Sequence, residues 1–197
     1  GLGDVYKRQD VNNDATRVEV NTISAEMAKV RDYVPPYAVM AHRGSTFWAP
    51  EETESAWRWA REMGADYLES DLQCTKDGVI LANHDDNLKR TTNIENVYSE
   101  LVPATRKAFY MRHGMSEAEA EKLVEADKAS FRPYYAMSYM YEELLALDAG
   151  SWFNETSIEQ ARESFSEQHQ YISALEDQIR YAEGKMLKRD VNGERIY

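Results

Sequence analysis

The sequence predicts an α/β fold that begins with a strand–helix–strand unit. Residues 37–41 form a short apolar run typical of a buried strand. An amphipathic helix is predicted at residues 53–63, with Thr53 as its N-cap and Gly64 just after its last turn. Residues 65–72 read as a second strand. This order is that of a βαβ unit, whose two strands run parallel.

Further elements follow the second strand. The turn signal at residues 76–78 precedes a third apolar strand at residues 79–82. After Thr92 the pattern becomes mainly helical. The later predicted elements are a helix with a capping box at residues 116–129, a partly helical stretch at residues 134–147, a helix at residues 172–182 and a hairpin turn at residues 192–193. One weak, short helix is also predicted before the first strand, at residues 23–30.

The composition excludes several classes of protein. A net charge of −12 over 197 residues argues against non-specific nucleic-acid binding, which needs a basic face. An anionic substrate would require a metal ion or local arginine and lysine side chains. The absence of a long apolar run predicts no transmembrane segment, and the single cysteine, Cys74, excludes an internal disulfide. Periplasmic, secreted and cytoplasmic locations all remain open.

Two carboxylates in the second predicted strand indicate a cation site. Glu69 and Asp71 are two residues apart, so in a continuous strand their side chains share one face. Unpaired and desolvated, they would repel each other, and a divalent cation with oxygen ligands, Mg²⁺ or Ca²⁺, would remove that repulsion. The alternative is an exposed strand face, which is the preferred interpretation for an E-x-D pattern taken alone.

Two histidines follow predicted strands. His42 follows the first strand and His84 the third, and we expect both at the C-terminal ends of neighbouring parallel strands, the edge where α/β folds place their sites. Such a pair can supply one general base and one general acid, whereas a lone histidine at a strand end is more often structural. Arg43 is suited to bind an anionic oxygen, and Gly44 would let the backbone approach a ligand. Spacing alone leaves the reaction open.

Several short motifs stand in the order found in one enzyme family. They are H-R-G at 42–44, P-E-E-T at 50–53, G-A-D-Y-L-E-S-D at 64–71, T-K-D-G at 75–78, H-D at 84–85 and R-T-T at 90–92. In these motifs the chain resembles the glycerophosphodiester phosphodiesterases. The segment L-D-A-G-S-W-F at 147–153 extends the resemblance to roughly residues 38–180.

The resemblance implies a (β/α)8 TIM barrel, of which this chain would form a part, with an α-helical insertion after the third strand. It implies hydrolysis of glycerophosphodiesters to an alcohol and glycerol 3-phosphate through a cyclic phosphate. By motif, His42 and His84 would be the general acid/base pair. Glu69 and Asp71 would ligate Ca²⁺ or Mg²⁺, and Arg43 would contact the substrate phosphate.

The chain departs from the family pattern in two ways. Glu52 stands where the family usually has asparagine, which adds a negative charge. The family's third metal carboxylate and phosphate-binding lysine, an E-x-K motif on a later strand, have no counterpart. The letters at residues 183–185 occur where a helix is predicted to end. A barrel needs eight strands, so we expect an inactive N-terminal fragment with a third protein ligand missing.

The expected domain boundaries follow from the motifs. They are an N-terminal extension at residues 1–36, whose first nine residues resemble translated adapter sequence, the first part of the barrel at residues 37–92, a helical insertion at residues 93–146 and a truncated continuation of the barrel at residues 147–197. Two alternative functions remain. One is a phospholipase D-like lyase on the same barrel, and the other is a non-catalytic homologue in which the tyrosine-rich residues 134–153 bind a partner.

Overall fold

The computed structural model describes residues 37–156, 169–185, 188–189 and 195–196. The chain divides into two compact units, Gly1–Ala38 and Val39–Tyr197, and every described helix and strand belongs to the second. The weak helix predicted at residues 23–30 and the turn predicted at residues 192–193 lie outside the described residues.

The predicted strand–helix–strand unit is present. Its elements are β1 at Met40–His42, α1 at Glu54–Glu62 and β2 at Tyr67–Glu69. The Thr53 side chain accepts a hydrogen bond from the Ala56 amide at 3.4 Å and so caps α1, as predicted. β1 and β2 pair in parallel, with His42 opposite Glu69. The parallel pairing confirms the βαβ prediction for this part of the chain.

The prediction for the second and third strands is wrong in two respects. The second strand ends at Glu69, and the chain then enters a separate strand, β3 at Leu72–Cys74. The third predicted strand, β4 at Ile80–Ala82, pairs with β3 in antiparallel orientation and is not a parallel neighbour of β1. The reason is a tight turn, in which the Thr75 amide donates to the Val79 carbonyl at 2.9 Å and reverses the chain.

The rest of the described chain is mainly helical. The elements are α2 at Ile94–Val97, α3 at Arg106–Arg112, α4 at Glu117–Ser130, a 3₁₀ turn at Ala136–Ser138, α5 at Tyr141–Leu144, α6 at Ser151–Thr156, α7 at Leu175–Ala182 and the antiparallel pair β5 at Lys188–Arg189 and β6 at Arg195–Ile196. The capping box of α4 forms as predicted between Ser116 and Glu119. α7 begins later than predicted because the preceding residues pair with β4, where the Ala82 amide donates to the Ser173 carbonyl at 2.9 Å.

The hydrophobic core lies between β4 and the helices. Its larger cluster is formed by Leu81, Leu88, Ile94, Ala136, Tyr139, Leu144, Leu147, Ala149 and Ile172. A smaller cluster joins α1 to α7, where the rings of Trp57 and Tyr181 lie 5.8 Å apart. In contrast, Val39 and Met40, at the start of β1, are 58% and 69% exposed. The prediction of a buried strand at residues 37–41 is therefore wrong within the described residues, because no described element covers these side chains.

The fold class is α/β, as predicted, while the barrel itself is not seen. The described strands form three separate two-stranded sheets, and they do not close. No described helix combines the length and the apolar character needed to cross a membrane.

Candidate active site

The loop after β1 carries the first predicted site residues in a conformation that needs glycine. Arg43 has a φ of 56° and Gly44 a φ of 88°, both in the left-handed region. A Cβ on Gly44 would lie 2.6 Å from the Ala56 Cβ and 2.8 Å from its carbonyl carbon. The loop therefore packs directly on α1. The Arg43 amide donates to both the carbonyl oxygen and the Oε2 of Glu69, each at 3.1 Å.

Arg43 brings the two predicted metal carboxylates together. Its amide binds Glu69, and its Nε lies 2.9 Å from Asp71 Oδ2. Both atoms are buried, and neither has a hydrogen-bond partner among the described residues, so their contact is an ion pair without hydrogen-bond geometry. Arg43 Nη1 also lies 3.2 Å from Glu51 Oε1. Because β2 ends at Glu69, the two carboxylates meet through Arg43 and not through the strand periodicity predicted from the sequence.

Glu52 is a buried carboxylate beside this pair. The residue is 4% exposed and has a φ of 58°. Its Oε1 accepts the Asp71 amide at 2.8 Å, while its Oε2 is buried and finds no hydrogen-bond partner in the described part of the chain. Burial, opposed in part by that amide and reinforced by the charges of Asp71 and Glu69, raises the pKa of Glu52 to about 7. Glu52, which departs from the family pattern, therefore lies next to the predicted metal ligands Glu69 and Asp71.

His84 is held by its neighbour in sequence. Its Nδ1 lies 2.5 Å from Asp85 Oδ1, and Asp85 Oδ2 accepts Arg90 Nε at 2.6 Å. Hydrogen bonding to Arg90, which outweighs burial, keeps the pKa of the Asp85 carboxyl below its usual value. The antiparallel β4 still delivers this segment to the site, because the Asn83 amide donates to the Asp71 carbonyl at 2.9 Å.

Glu51 connects the two halves of the site. It accepts Arg90 Nη2 at 2.7 Å and Nη1 at 3.2 Å, as well as Arg43. Burial raises the pKa of Glu51, but hydrogen bonds and charges from Arg90 and Arg43 outweigh it and lower the pKa below its usual value. One chain of ion pairs thus runs from Asp71 to Asp85 through Arg43, Glu51 and Arg90.

His42 lies at the exposed end of β1, opposite Glu69 in the parallel register. It lines a cavity of about 420 Å³ together with apolar residues of the same loop, among them Phe47 and Trp48. None of the hydrogen bonds found in the described residues joins His42 to His84. The structure thus brings four of the predicted residues into one bonded network, with His42 beside it.

A divalent cation fits this donor set in part. Glu69 and Asp71 supply carboxylate oxygens of the kind that Ca²⁺ and Mg²⁺ bind, and the buried Glu52 Oε2, which has no hydrogen-bond partner among the described residues, favours a positive charge nearby. Across the described ranges, no cluster of three or more histidine, cysteine or acidic side chains is arranged to hold a metal ion. The E-x-K letters at residues 183–185 lie after α7, where Lys185 pairs with Glu183, as expected for a helix end.

Sequence reasoning missed the roles of Glu51, Arg90 and Asp85. All three stand in the recognised motifs, so the signal was present, but their pairing spans up to 39 positions and no local pattern indicates it. Glu52 was noted as a departure, whereas its burial and its bond to the Asp71 amide were not predicted.

Comparison with known proteins identifies related sequences. The sequence model of the glycerophosphoryl diester phosphodiesterase family matches residues 42–194. The glycerophosphodiester phosphodiesterase of Bacillus subtilis (strain 168) is 32% identical over 126 residues, which are 64% of this chain and 30% of that protein. That of Caldanaerobacter subterraneus subsp. tengcongensis is 49% identical over 57 residues, which are 29% of this chain and 24% of that protein.

One similar solved structure is that of an Oleispira antarctica phosphodiesterase in complex with the product sn-glycerol-3-phosphate. The superposition covers 78% of this chain and 42% of that chain, with a TM-score of 0.49 and 23% sequence identity. The chain therefore spans less than half the length of each of these relatives. The family match includes the H-R-G, E-x-D and H-D motifs and every residue of the network described above. This chain belongs to the glycerophosphoryl diester phosphodiesterase family.

Proposed function

We propose that the whole protein hydrolyses glycerophosphodiesters to an alcohol and glycerol 3-phosphate with the help of a divalent cation. The observation that carries this proposal is the family match over residues 42–194, which includes all the polar residues that converge on Arg43. The net charge of −12 supports the need for a cation, since Glu69 and Asp71 would repel a phosphodiester that Arg43 alone had to attract.

Glu69 and Asp71 would hold the cation, whose contribution when bound is to neutralise charge developing on the phosphoryl oxygens. Arg43 would contact the phosphate with the guanidinium donors that Glu51 leaves free, because a planar fork matches phosphate oxygens. The ion pairs to Glu51 and Asp71 would hold that guanidinium in place before substrate arrives.

His42 and His84 are the proposed acid/base pair. Asp85 is ionised and accepts only, so His84 donates from Nδ1 and keeps Nε2 available for proton transfer. One histidine would take the proton from the glycerol hydroxyl that attacks phosphorus, and the other would give a proton to the alcohol that leaves, which yields a cyclic phosphate. Water would then attack phosphorus and open one ring P–O bond to give glycerol 3-phosphate, with the two histidines in reversed roles. The exposed position of His42 at the end of β1 leaves its ring accessible to a substrate.

The test is product analysis on the whole protein with glycerophosphocholine. We expect cation-dependent release of glycerol 3-phosphate, seen by phosphorus NMR, and a loss of at least about 100-fold in His42→Ala and His84→Ala. His113→Ala is the matched control, since His113 is exposed and stacks on Phe109 far along the chain. Unchanged turnover in His42→Ala would overturn the proposal.

The same assay separates the alternatives. A reaction that stops at the cyclic phosphate identifies a lyase and contradicts hydrolysis. Cation binding without turnover of any glycerophosphodiester favours a non-catalytic homologue.

A further inference from the structure

Arg90 is held on three sides. Its Nε donates to Asp85 Oδ2 at 2.6 Å, and its Nη2 and Nη1 donate to the two oxygens of Glu51 at 2.7 and 3.2 Å. The Trp152 ring centroid lies 5.9 Å from the guanidinium carbon, within cation–π range. All three guanidinium nitrogens are therefore engaged, and the side chain is fixed in one orientation.

The Arg90 side chain is 44% exposed, so its ion pairs contribute only about 0–1 kcal/mol each to stability. The Glu51 side chain is only 13% exposed, and it accepts from Arg43 as well as Arg90. Arg90 bridges two separate segments, since its two partners lie 5 and 39 positions away. A bidentate, partly buried bridge of this kind fixes geometry more than it adds stability.

Asp85 connects the Arg90 guanidinium to the His84 ring. Its Oδ2 binds Arg90, and its Oδ1 lies 2.5 Å from His84 Nδ1. A carboxylate held at one oxygen by a fixed guanidinium presents the other oxygen in a fixed direction. The ring nitrogen facing it must donate, so the tautomer and the orientation of the imidazole are both determined.

We propose that Arg90 is a positioning residue for the reaction. It acts through Asp85 to hold His84 as the Nδ1–H tautomer, and through Glu51 to hold the Arg43 guanidinium in a fixed position relative to the His84 ring. The claim that Arg90 affects the reaction rests on the proposed function. Its structural content, the tautomer of His84, is independent of turnover.

The first test measures that tautomer by heteronuclear NMR of the imidazole nitrogens in the 197-residue chain, at a pH well above the ordinary histidine pKa. His84→Gln assigns the signal among the four histidines. We expect a protonated Nδ1 and an unprotonated Nε2 in the wild type. In Arg90→Gln we expect averaged shifts of two exchanging tautomers, and in Arg90→Lys a partial return. Lys89→Gln is the matched control, because Lys89 pairs with Glu95 instead.

The second test compares steady-state kinetics in the whole protein. We expect kcat to fall at least about tenfold in Arg90→Gln, with a smaller rise in KM, because proton transfer depends on the His84 ring orientation while Arg43 keeps its ion pair with Asp71. Glu51→Gln, which keeps the side-chain shape, should lower kcat as well. An unchanged His84 tautomer in Arg90→Gln would overturn the inference. A correct wild-type tautomer without hydrolysis would instead contradict only the proposed function.

Discussion

The Asp71 amide donates a 2.8 Å hydrogen bond to Glu52 Oε1, so the break between β2 and β3 is secured by a carboxylate from the loop before α1. The bond explains why the second strand ends where it does, since it diverts the Asp71 amide to a side chain instead of a neighbouring strand. It also places a buried negative charge beside two other acidic residues, which has a measurable cost.

We expect Glu52→Gln to stabilise the protein at neutral pH in the presence of a chelator. The pKa of Glu52 is raised from its usual 4.5 to about 7. A carboxyl with a raised folded pKa favours folding while it is protonated, and this advantage is lost as the pH rises from about 4.5 to about 7. The wild type should therefore lose up to about 3 kcal/mol relative to the variant across that window.

Urea unfolding at several pH values measures this difference. The exposed Glu62, at the end of α1, provides the control Glu62→Gln, which makes the same chemical change at a solvent-facing position. A flat profile for Glu52→Gln would show that its carboxyl titrates normally.

Asp71→Asn should weaken binding of Ca²⁺ or Mg²⁺ by at least about tenfold, because it removes a charged oxygen ligand. Calorimetry on the 197-residue chain measures the affinity without any need for turnover. Asp86→Asn is the control, since Asp86 is exposed and its backbone carbonyl, which the substitution keeps, accepts the Ala136 amide. Equal affinities in the two variants would remove Asp71 from the cation site.

Local features of the sequence were predictable. The N-cap at Thr53 and the capping box of Ser116 with Glu119 use partners three positions away, so a short window contains all the information needed. The positions of the H-R-G, E-x-D and H-D motifs were predictable by resemblance, and the structure places four of the five candidate residues in one network.

Long-range features were not predictable in the same way. The end of β2 depends on Glu52, 19 positions before Asp71, and the setting of His84 depends on Arg90 and its bond to Glu51, 39 positions away. The expectation that His84 ends a parallel neighbour of β1 failed because the turn at Thr75 forces an antiparallel pair. His84 therefore follows an antiparallel hairpin strand, β4, and not a parallel strand as predicted.

Gly44→Ala should destabilise the fold and disturb Arg43. The new Cβ would meet Ala56 at 2.6 Å, and the φ of 88° is unfavourable for alanine. Gly114→Ala is a matched control, because Gly114 has a φ of 92° but open space around its would-be Cβ. We expect the control to lose about 1–2 kcal/mol from backbone strain, and Gly44→Ala to lose clearly more. Equal losses in thermal unfolding would show that the loop can move off α1.

Arg106→Met should be the most destabilising of these changes. Arg106 is fully buried, and it binds Glu143 through Nε at 2.9 Å and Nη2 at 2.8 Å and Asp127 through Nη1 at 2.6 Å. Its removal takes the ion pair with Arg106 from the buried Glu143, whereas Asp127 keeps Lys76 at 2.8 Å, and the expected cost is about 3–5 kcal/mol.

The neighbouring arginine of the same helix provides the comparison. Arg112 pairs with Glu142, the residue next to Glu143, but its side chain is 55% exposed. Arg112→Met should therefore cost no more than about 1 kcal/mol, because water screens and replaces the lost pair. Urea unfolding of the two variants measures the difference that burial makes to the same type of ion pair. If Arg106→Met unfolded at the same urea concentration as Arg112→Met, the buried network would contribute specificity of packing and not stability.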